Sequence, residues 1–386
     1  MNLSKLAMSI GQSATLKLNE LAGNLKAEGK PVIHLGGGEP EEMIPSGARE
    51  EAQKSLSAGF VRYTPTTGTA ELKQEICLYT DKHYSLKPAP KNIVVSSGAK
   101  QAIYNFLMAV VNPGDQVVFP APYWVSYPEM VKMVYGTPVA VPPRPGELVP
   151  TAADIEAHIT ANTRAVLLNS PNNPSGLLYT PEFIREIVKI CEYHNVYLLM
   201  DDIYNRLVFD GARAPSAFSF SSRGLEDSVI VSVNGISKTY SMTGFRIGWS
   251  VGPEAITKAM AKVQAQITSC PSALSQKAAL GALRGTDDFV ETLRSGLEKK
   301  RDTMLAALGG LKKVKLCKPQ GTFYSFPDFS AYDSDSARLS ARLLEKALVV
   351  TVPGREFGLE GRLRLSYCGP EKDIIEGVER IRKELD

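Results

Sequence analysis

The chain has 386 residues, 44% of them hydrophobic and 22% charged, proportions ordinary for a folded globular protein that exclude a disordered or fibrous architecture and leave room for two domains. Net charge is only +3, and no lysine–arginine run is interleaved with aromatics, so a nucleic-acid or membrane-surface partner gains no support. Five scattered cysteines with no C-x-x-C pair, and four dispersed histidines, argue against a disulfide framework and a zinc site and fit reduced cytoplasmic thiols.

The opening "MNLSKLAMSIGQSATLKLNELAG" is too polar for an export signal or a membrane span, which reads as a cytoplasmic chain. "PVIHLGGGEP" then ends in a glycine turn. From about Asn92 short β-branched runs alternate with amphipathic stretches: "NIVVS", "DQVVF", "TPVAV", "RAVLLN", "VYLLMD", "SVIVSV" and "FRIGWSVG". Runs apolar at nearly every position predict strands buried on both faces of a mostly parallel sheet. Among the intervening helices "TPEFIREIVKICEYH" is the clearest, with Thr180 as N-cap and Pro181 at the first helical position. Residues 47–284 therefore read as a large doubly wound α/β domain. After Thr286 come a long charged helix, short strands around "VKLCKPQGTFYSF" and "GRLRLSYC", and a last helix, "EKDIIEGVERIRKEL". Residues 285–386, joined by the arm 1–46, read as a smaller α+β domain.

Four segments carry chemistry. In "VVSSGAKQAIYNFL" a strand passes through Ser96, Ser97 and Gly98 into a helix, an arrangement that aims free N–H groups and the positive helix end at one spot suited to phosphate, although an ordinary strand-to-helix turn has the same pattern. "NSPNNPSG" (169–176) holds Asn172 and Asn173 between prolines at a strand's carboxyl end, where open α/β sheets keep ligands; a capped turn is the plainer alternative. In "YLLMDDIYNRL" Asp201 emerges from a core strand, either exposed at the sheet rim or paired with a buried cation, and Tyr204 follows three positions on. "VNGISKTYSMTGFRIGW" sets Lys238 between Ser237 and Thr239, and Arg246 eight positions later, with no acid nearby in sequence. Singly each is compatible with an ordinary loop residue. Together a lysine amine, an acid, an asparagine, an arginine and a phosphate turn fit pyridoxal phosphate, whose aldehyde, pyridine nitrogen and phosphate need those partners.

"NSPNNPSG", "DDIYNRL" and "GISKTYSMTGFRIG", in this order and spacing, resemble the diagnostic segments of class I aminotransferases, and "APYWVSYPEM" and "RLRLSYC" bring the chain nearest the bacterial aspartate aminotransferase subgroup. The resemblance covers nearly the whole chain. It implies the fold of type I pyridoxal-phosphate transferases and a homodimer with shared active sites. By the same resemblance Lys238 is the Schiff-base and proton-transfer lysine, Asp201 the partner of the pyridine nitrogen, and Asn173 and Tyr204 the donors to the ring's phenolic oxygen. Arg246, Ser237 and the backbone of Gly98 and Ala99 correspond to the phosphate cup, Trp124 to the stacking aromatic, and Tyr63 to a tyrosine reaching the neighbouring subunit's phosphate. Arg364, rather than Arg362, aligns with the arginine that grips the substrate α-carboxylate, and Gly38 with backbone lining the same group.

For substrate, Lys100 aligns with a lysine that reads a distal carboxylate in the bacterial subgroup, against the alternative of a surface lysine, and Ser13 and Thr15 match a segment near substrate. The implied reaction is L-aspartate with 2-oxoglutarate; aromatic, prephenate or broader specificity stays open, as does a β-eliminating lyase on the same fold. Two departures bear on this: "EEMIP" follows Pro40 and sets Glu41 and Glu42 near the expected entrance, and Gly11 stands where some relatives carry a basic residue. A nicotinamide dehydrogenase would need a G-x-G-x-x-G that is absent.

Overall fold

The computed structural model describes residues 3–11, 14–59 and 61–386, without the side chains of residues 14–17 and 19; Ser13 and the Thr15 side chain thus lie outside the described residues. Strand β1 (Ile33–His34) precedes a run formed by β2 (Ile93–Ser96), β3 (Gln116–Pro120), β4 (Thr137–Val141), β5 (Thr163–Asn169), β6 (Tyr197–Asp201), β7 (Ile230–Gly235) and β8 (Gly248–Val251). Four short strands follow: β9 (Tyr324–Ser325), β10 (Val349–Val350), β11 (Val352–Pro353) and β12 (Leu363–Ser366).

Strands β2 to β8 form one seven-stranded sheet in the order β2-β8-β7-β6-β5-β3-β4. Strands β3 to β7 are mutually parallel where they pair, whereas β8 runs antiparallel to both β7 and β2. "FRIGWSVG" therefore departs from the parallel pattern, and connection length explains why. Only residues 236–247 separate β7 from β8, about the minimum for a crossover that would return the chain parallel. The chain turns back instead, and the turn carries Ser237, Lys238 and Arg246 at the edge where β2, β5, β6 and β7 end.

Strands β6 and β7 are buried along almost their whole length, as apolar runs in a doubly covered sheet should be. Strand β4 departs from that expectation: it lies at the sheet edge with Thr137 and Ala140 exposed, a place where Pro138 costs no ladder hydrogen bond. The helix Pro181–His194 starts as its cap predicts, the Phe183 N–H donating to Thr180 Oγ1 at 3.2 Å, and its buried stripe is Ile184, Ile187, Val188 and Cys191.

Strand β1 pairs in parallel with β10, while β11, β12 and β9 make an antiparallel sheet. The helices Asp287–Leu308 and Glu371–Leu385 pack beside them, and their core continues through Ile33, Tyr204, Leu207 and Phe209 toward the carboxyl edge of the large sheet. Among the described residues no helix is long and apolar enough to cross a membrane.

The helices Ser46–Ser57 and Ala273–Leu283 cross with backbones in contact: a Cβ at Gly281 would sit 2.1 Å from the Gly47 carbonyl oxygen. Gly281→Ala should therefore lower stability by at least about 2 kcal/mol in denaturant unfolding. Gly296, inside Asp287–Leu308, has open space where its Cβ would be. Gly296→Ala should raise stability by about 0.5–1 kcal/mol in the same assay.

Candidate active site

A cavity of about 340 Å³ opens at the carboxyl edge of the sheet, and residues from remote parts of the chain meet there. Register brings the first of them together: Asn169 at the end of β5 lies beside Asp201 at the end of β6, and Asn169 Nδ2 donates to the Asp201 carbonyl at 2.8 Å. Asn169 Oδ1 accepts from the Asn173 N–H at 2.8 Å, which pins the proline-flanked loop.

Beyond β2 the chain turns at Gly98, whose φ of +88° suits glycine, and enters the helix Ala99–Val110. The first N–H groups of that helix, on Ala99 and Lys100, have no intrahelical acceptor and face the cavity end. A Cβ on Gly98 would lie 2.5 Å from Arg246 Nη2, so the guanidinium occupies space that any other residue would fill. Arg246 Nη1 donates to the Thr243 carbonyl at 3.0 Å, and buried Ser237 lines the same wall. A guanidinium, a hydroxyl and a helix N-terminus aimed at one place make an anion site.

Asp201 is 4% exposed and matches neither placement its sequence position allowed: it is buried, yet no cation pairs with it among the described residues. The Tyr127 hydroxyl donates to Oδ2 at 2.7 Å and the Ile203 N–H to Oδ1 at 3.4 Å. Burial pushes the carboxyl up to about 6, against the opposing effects of those two hydrogen bonds and the Lys238 charge. Lys238 faces the same cavity, where its Nζ donates to the Gly38 carbonyl at 2.6 Å. Loss of water lowers its amine to about 8, with Glu39 opposing the shift. Near neutrality a useful fraction is thus unprotonated and nucleophilic.

Arg364, on β12, is 2% exposed. Its Nη1 donates to Asn173 Oδ1 at 2.9 Å and Nη2 to the Gly36 carbonyl at 3.0 Å, while Nε is buried without a partner. The Tyr324 ring lies 4.3 Å from Cζ. Arg362 belongs elsewhere, donating to the Phe326 carbonyl and lying 4.0 Å from Asp328, outside the cavity lining. Buried Tyr204 lines the cavity with its hydroxyl 3.5 Å from that of Tyr324.

Lys100 stands at the rim with Nζ 4.7 Å over the ring of half-buried Trp124. Desolvation and the Arg246 charge hold its amine below the usual lysine range. Tyr63 does not join this set: it is 90% exposed and outside the cavity lining. Glu41 and Glu42 do not line the cavity either, Glu42 turning to Lys300 at 3.1 Å; the acid at the wall is Glu39, held by the Thr243 hydroxyl. Sequence reasoning passed over Tyr127, Asn169, Tyr324 and Glu39. Tyr127 had a signal, three residues after Trp124 at helical spacing, whereas Tyr324 arrives through sheet pairing that no local pattern encodes.

This sheet, with its site at the carboxyl edge beside a smaller unit, is the architecture of the fold type I transferases. The model of the family "Aminotransferase class I and II" matches residues 30–381, and the chain belongs to that family. It is 38% identical over 380 residues to a probable aspartate/prephenate aminotransferase of Aquifex aeolicus, covering 97% of this chain and 96% of that one. It is 39% identical over 386 residues to an aspartate aminotransferase of Rhizobium meliloti, covering 97% and 93%. A solved aspartate aminotransferase from Thermus thermophilus with maleate superposes with a TM-score of 0.95 at 35% identity, covering 100% of both chains.

The raised Asp201 carboxyl carries a stability consequence. Because the folded chain holds the proton up to about 6 and the ordinary carboxyl only to 3.8, the folding penalty is absent below about pH 4, grows between those values and is complete above. Cofactor-free Asp201→Asn should therefore exceed the parent chain in stability by about 2–3 kcal/mol at pH 8 and match it near pH 4, read by urea unfolding.

Proposed function

We propose that the protein is a pyridoxal 5'-phosphate-dependent aminotransferase, acting as a cytoplasmic homodimer on L-aspartate and 2-oxoglutarate. One observation carries the reading. Lys100, Lys238, Arg246 and Arg364 face a single cavity, none of them in an ion pair among the described residues, while the buried acid at its floor, Asp201, has only a phenol and an amide for partners. Such a site asks for a ligand with several negative groups and one positive nitrogen.

The residues present fit that cofactor. The first N–H groups of the helix, Ser237, and Arg246 seated where a side chain at position 98 would stand would hold its phosphate, and the orphaned Nε of Arg364 keeps a donor for a substrate carboxylate. Asp201 would hold the ring nitrogen, Trp124 would cover a ring face, and Asn173 and Tyr204 would meet the phenolic oxygen. When bound, the group supplies an electron-poor ring into which the electron pair at the substrate α-carbon is delocalised. Lys238 Nζ, lowered to about 8, would take the proton from the α-carbon of the amino acid consumed in one half-reaction and, as the same amine, return one to the α-carbon of the amino acid formed in the other. Arg364 orients the α-carboxylate, fixed by Asn173 Oδ1 and the Gly36 carbonyl. Lys100 at the rim reads the distal carboxylate. The maleate in the Thermus thermophilus structure is a dicarboxylate, which supports that choice. Exposed Tyr63 reaches the phosphate of the partner's site.

A second reading adds prephenate-like substrates. A further cavity of about 440 Å³ adjoins Lys100, walled by Gly11, Tyr123, Ser126 and Arg355, and gives room for a bulkier dicarboxylic side chain; the relative from Aquifex aeolicus bears both substrates in its name. A keto-acid-independent release of ammonia would instead mark a lyase.

Lys238→Ala should abolish turnover and the visible absorbance that bound cofactor gives the parent protein. Lys100→Ser should raise KM for aspartate and glutamate by about 10–100-fold, the loss of a charge-assisted hydrogen bond, with little change for alanine. Equal losses on all three substrates would overturn the dicarboxylate assignment. A purified chain that is active as a monomer would overturn the shared site.

A further inference from the structure

Two fully buried glutamines outside the cavity hold one half-buried loop. Residues 64–69 pass over β2, with Gly68 at φ +98° and its missing Cβ only 2.5 Å from Val95. Gln264, from the helix Glu254–Ile267, donates through Nε2 to the Thr66 carbonyl at 2.6 Å and to the Val95 carbonyl at 2.8 Å. Its Oε1 accepts from Ser96 Oγ at 2.6 Å and Asn105 Nδ2 at 2.9 Å. Gln276, from Ala273–Leu283, donates to Thr64 Oγ1 and the Pro271 carbonyl, both at 2.9 Å, and accepts from the Thr69 N–H at 2.8 Å. Gln264 and Gln276 are 0% and 1% exposed.

A surface loop is ordinarily left to solvent, and burying two amides with these hydrogen bonds satisfied is a rigidifying device. What the loop carries is Tyr63, immediately before Thr64 and 90% exposed. The same Gln264 amide grips Ser96, two residues before Gly98 in the phosphate turn. The outgoing tyrosine is thereby referenced to the chain's own anion site, and two-fold symmetry would carry that register to the other site.

We propose that Gln264 and Gln276 are positioning residues that fix the loop 64–69 so that Tyr63 enters the phosphate site of a second copy of this chain. The inference rests on the shared-site reading of Tyr63 given above. It makes cofactor affinity in one subunit depend on a buried amide of the other.

Mixed dimers test it. One subunit carries Lys238→Ala, which silences its own absorbance change, together with Gln264→Met; the other is unaltered. Pyridoxal phosphate affinity of the unaltered subunit is measured by absorbance titration against a mixed dimer bearing Lys238→Ala alone. Affinity should fall about tenfold, near the worth of one hydrogen bond to a charged group. Tyr63→Phe in place of Gln264→Met should give a similar fall, and the two together no more than either. Thr64→Val, at a partly exposed position, removes one of the two hydrogen bonds between the loop and Gln276 without opening the core and should act in the same direction, so the test stands even if Gln264→Met does not fold. An unaltered subunit that responds to Tyr63→Phe but not to Gln264→Met or Thr64→Val overturns the positioning role alone. No response to Tyr63→Phe, or a monomeric chain, overturns the shared site and the inference with it.

Discussion

Strand β8 enters the sheet between β2 and β7 and runs against both, and the arrangement of the site depends on how closely it fits there. Gly248, its first residue, pairs with Ser96 on one side and Gly235 on the other. A Cβ at Gly248 would lie 2.3 Å from the Ala99 nitrogen, and one at Gly235 would lie 2.8 Å from the Ile247 carbonyl oxygen. Backbone packs directly on backbone at this corner. That contact draws the Gly98 turn, the end of β7 and the start of β8 to within a few ångströms of one another. Lys238 and Arg246, near the two ends of the short return, line one cavity.

The cations gathered there are held by neutral acceptors. Lys238 rests on the Gly38 carbonyl, Arg246 on that of Thr243, and Arg364 on Asn173 and the Gly36 carbonyl. A carboxylate in any of these places would compete with an anionic ligand, since breaking a buried ion pair costs about 3–5 kcal/mol. A carbonyl orients the charge while leaving most of its field for the ligand. Glu39, whose charge opposes the lowering of the Lys238 amine, is exposed and is engaged by the Thr243 hydroxyl. The acceptors Gly36 and Gly38 follow β1, which pairs with β10, so the smaller unit supplies the acceptor for Lys238 of the large sheet, while the large sheet's Asn173 in turn holds Arg364 of the smaller unit.

Much of this was legible before any coordinates. Period and turn chemistry located the strands ending at Ser96, Asn169 and Asp201, because a doubly covered strand must be apolar nearly throughout and its first polar residue marks where it leaves the core. Loop motifs of unusual composition then named Lys238, Asn173 and Arg246. The direction of β8 was not legible in the same way, because strand composition is alike in either direction and only the length of the preceding connection restricts it. The edge position of β4 was hidden for a similar reason, as "TPVAV" differs from an interior strand mainly by its proline. Tyr324 and the acceptors on Gly36 and Gly38 lie far from the rest of the site in sequence, and only sheet pairing in the smaller unit delivers them. The local pattern at Tyr63 does not predict its 90% exposure, and its reach to a neighbouring subunit's phosphate rests on the resemblance alone.

The adjacent pair Asp201 and Asp202 shows why the fold, and not residue type, assigns the chemistry. Successive side chains at a strand end point to opposite faces. Asp201 turns to the cavity and the Tyr127 hydroxyl, whereas Asp202 turns to β7 and accepts from Ser232 Oγ at 2.9 Å. Burial raises both carboxyls, to about 6 and about 7, and in Asp202 the neighbouring Asp201 charge adds to the shift. Each charge therefore makes the other more costly. A cation bound beside Asp201 would favour the ionised form of Asp201, and that charge in turn raises Asp202 on the other side of the strand. Of two identical side chains with similar burial, the one that faces the cavity is the one a ligand can hold charged.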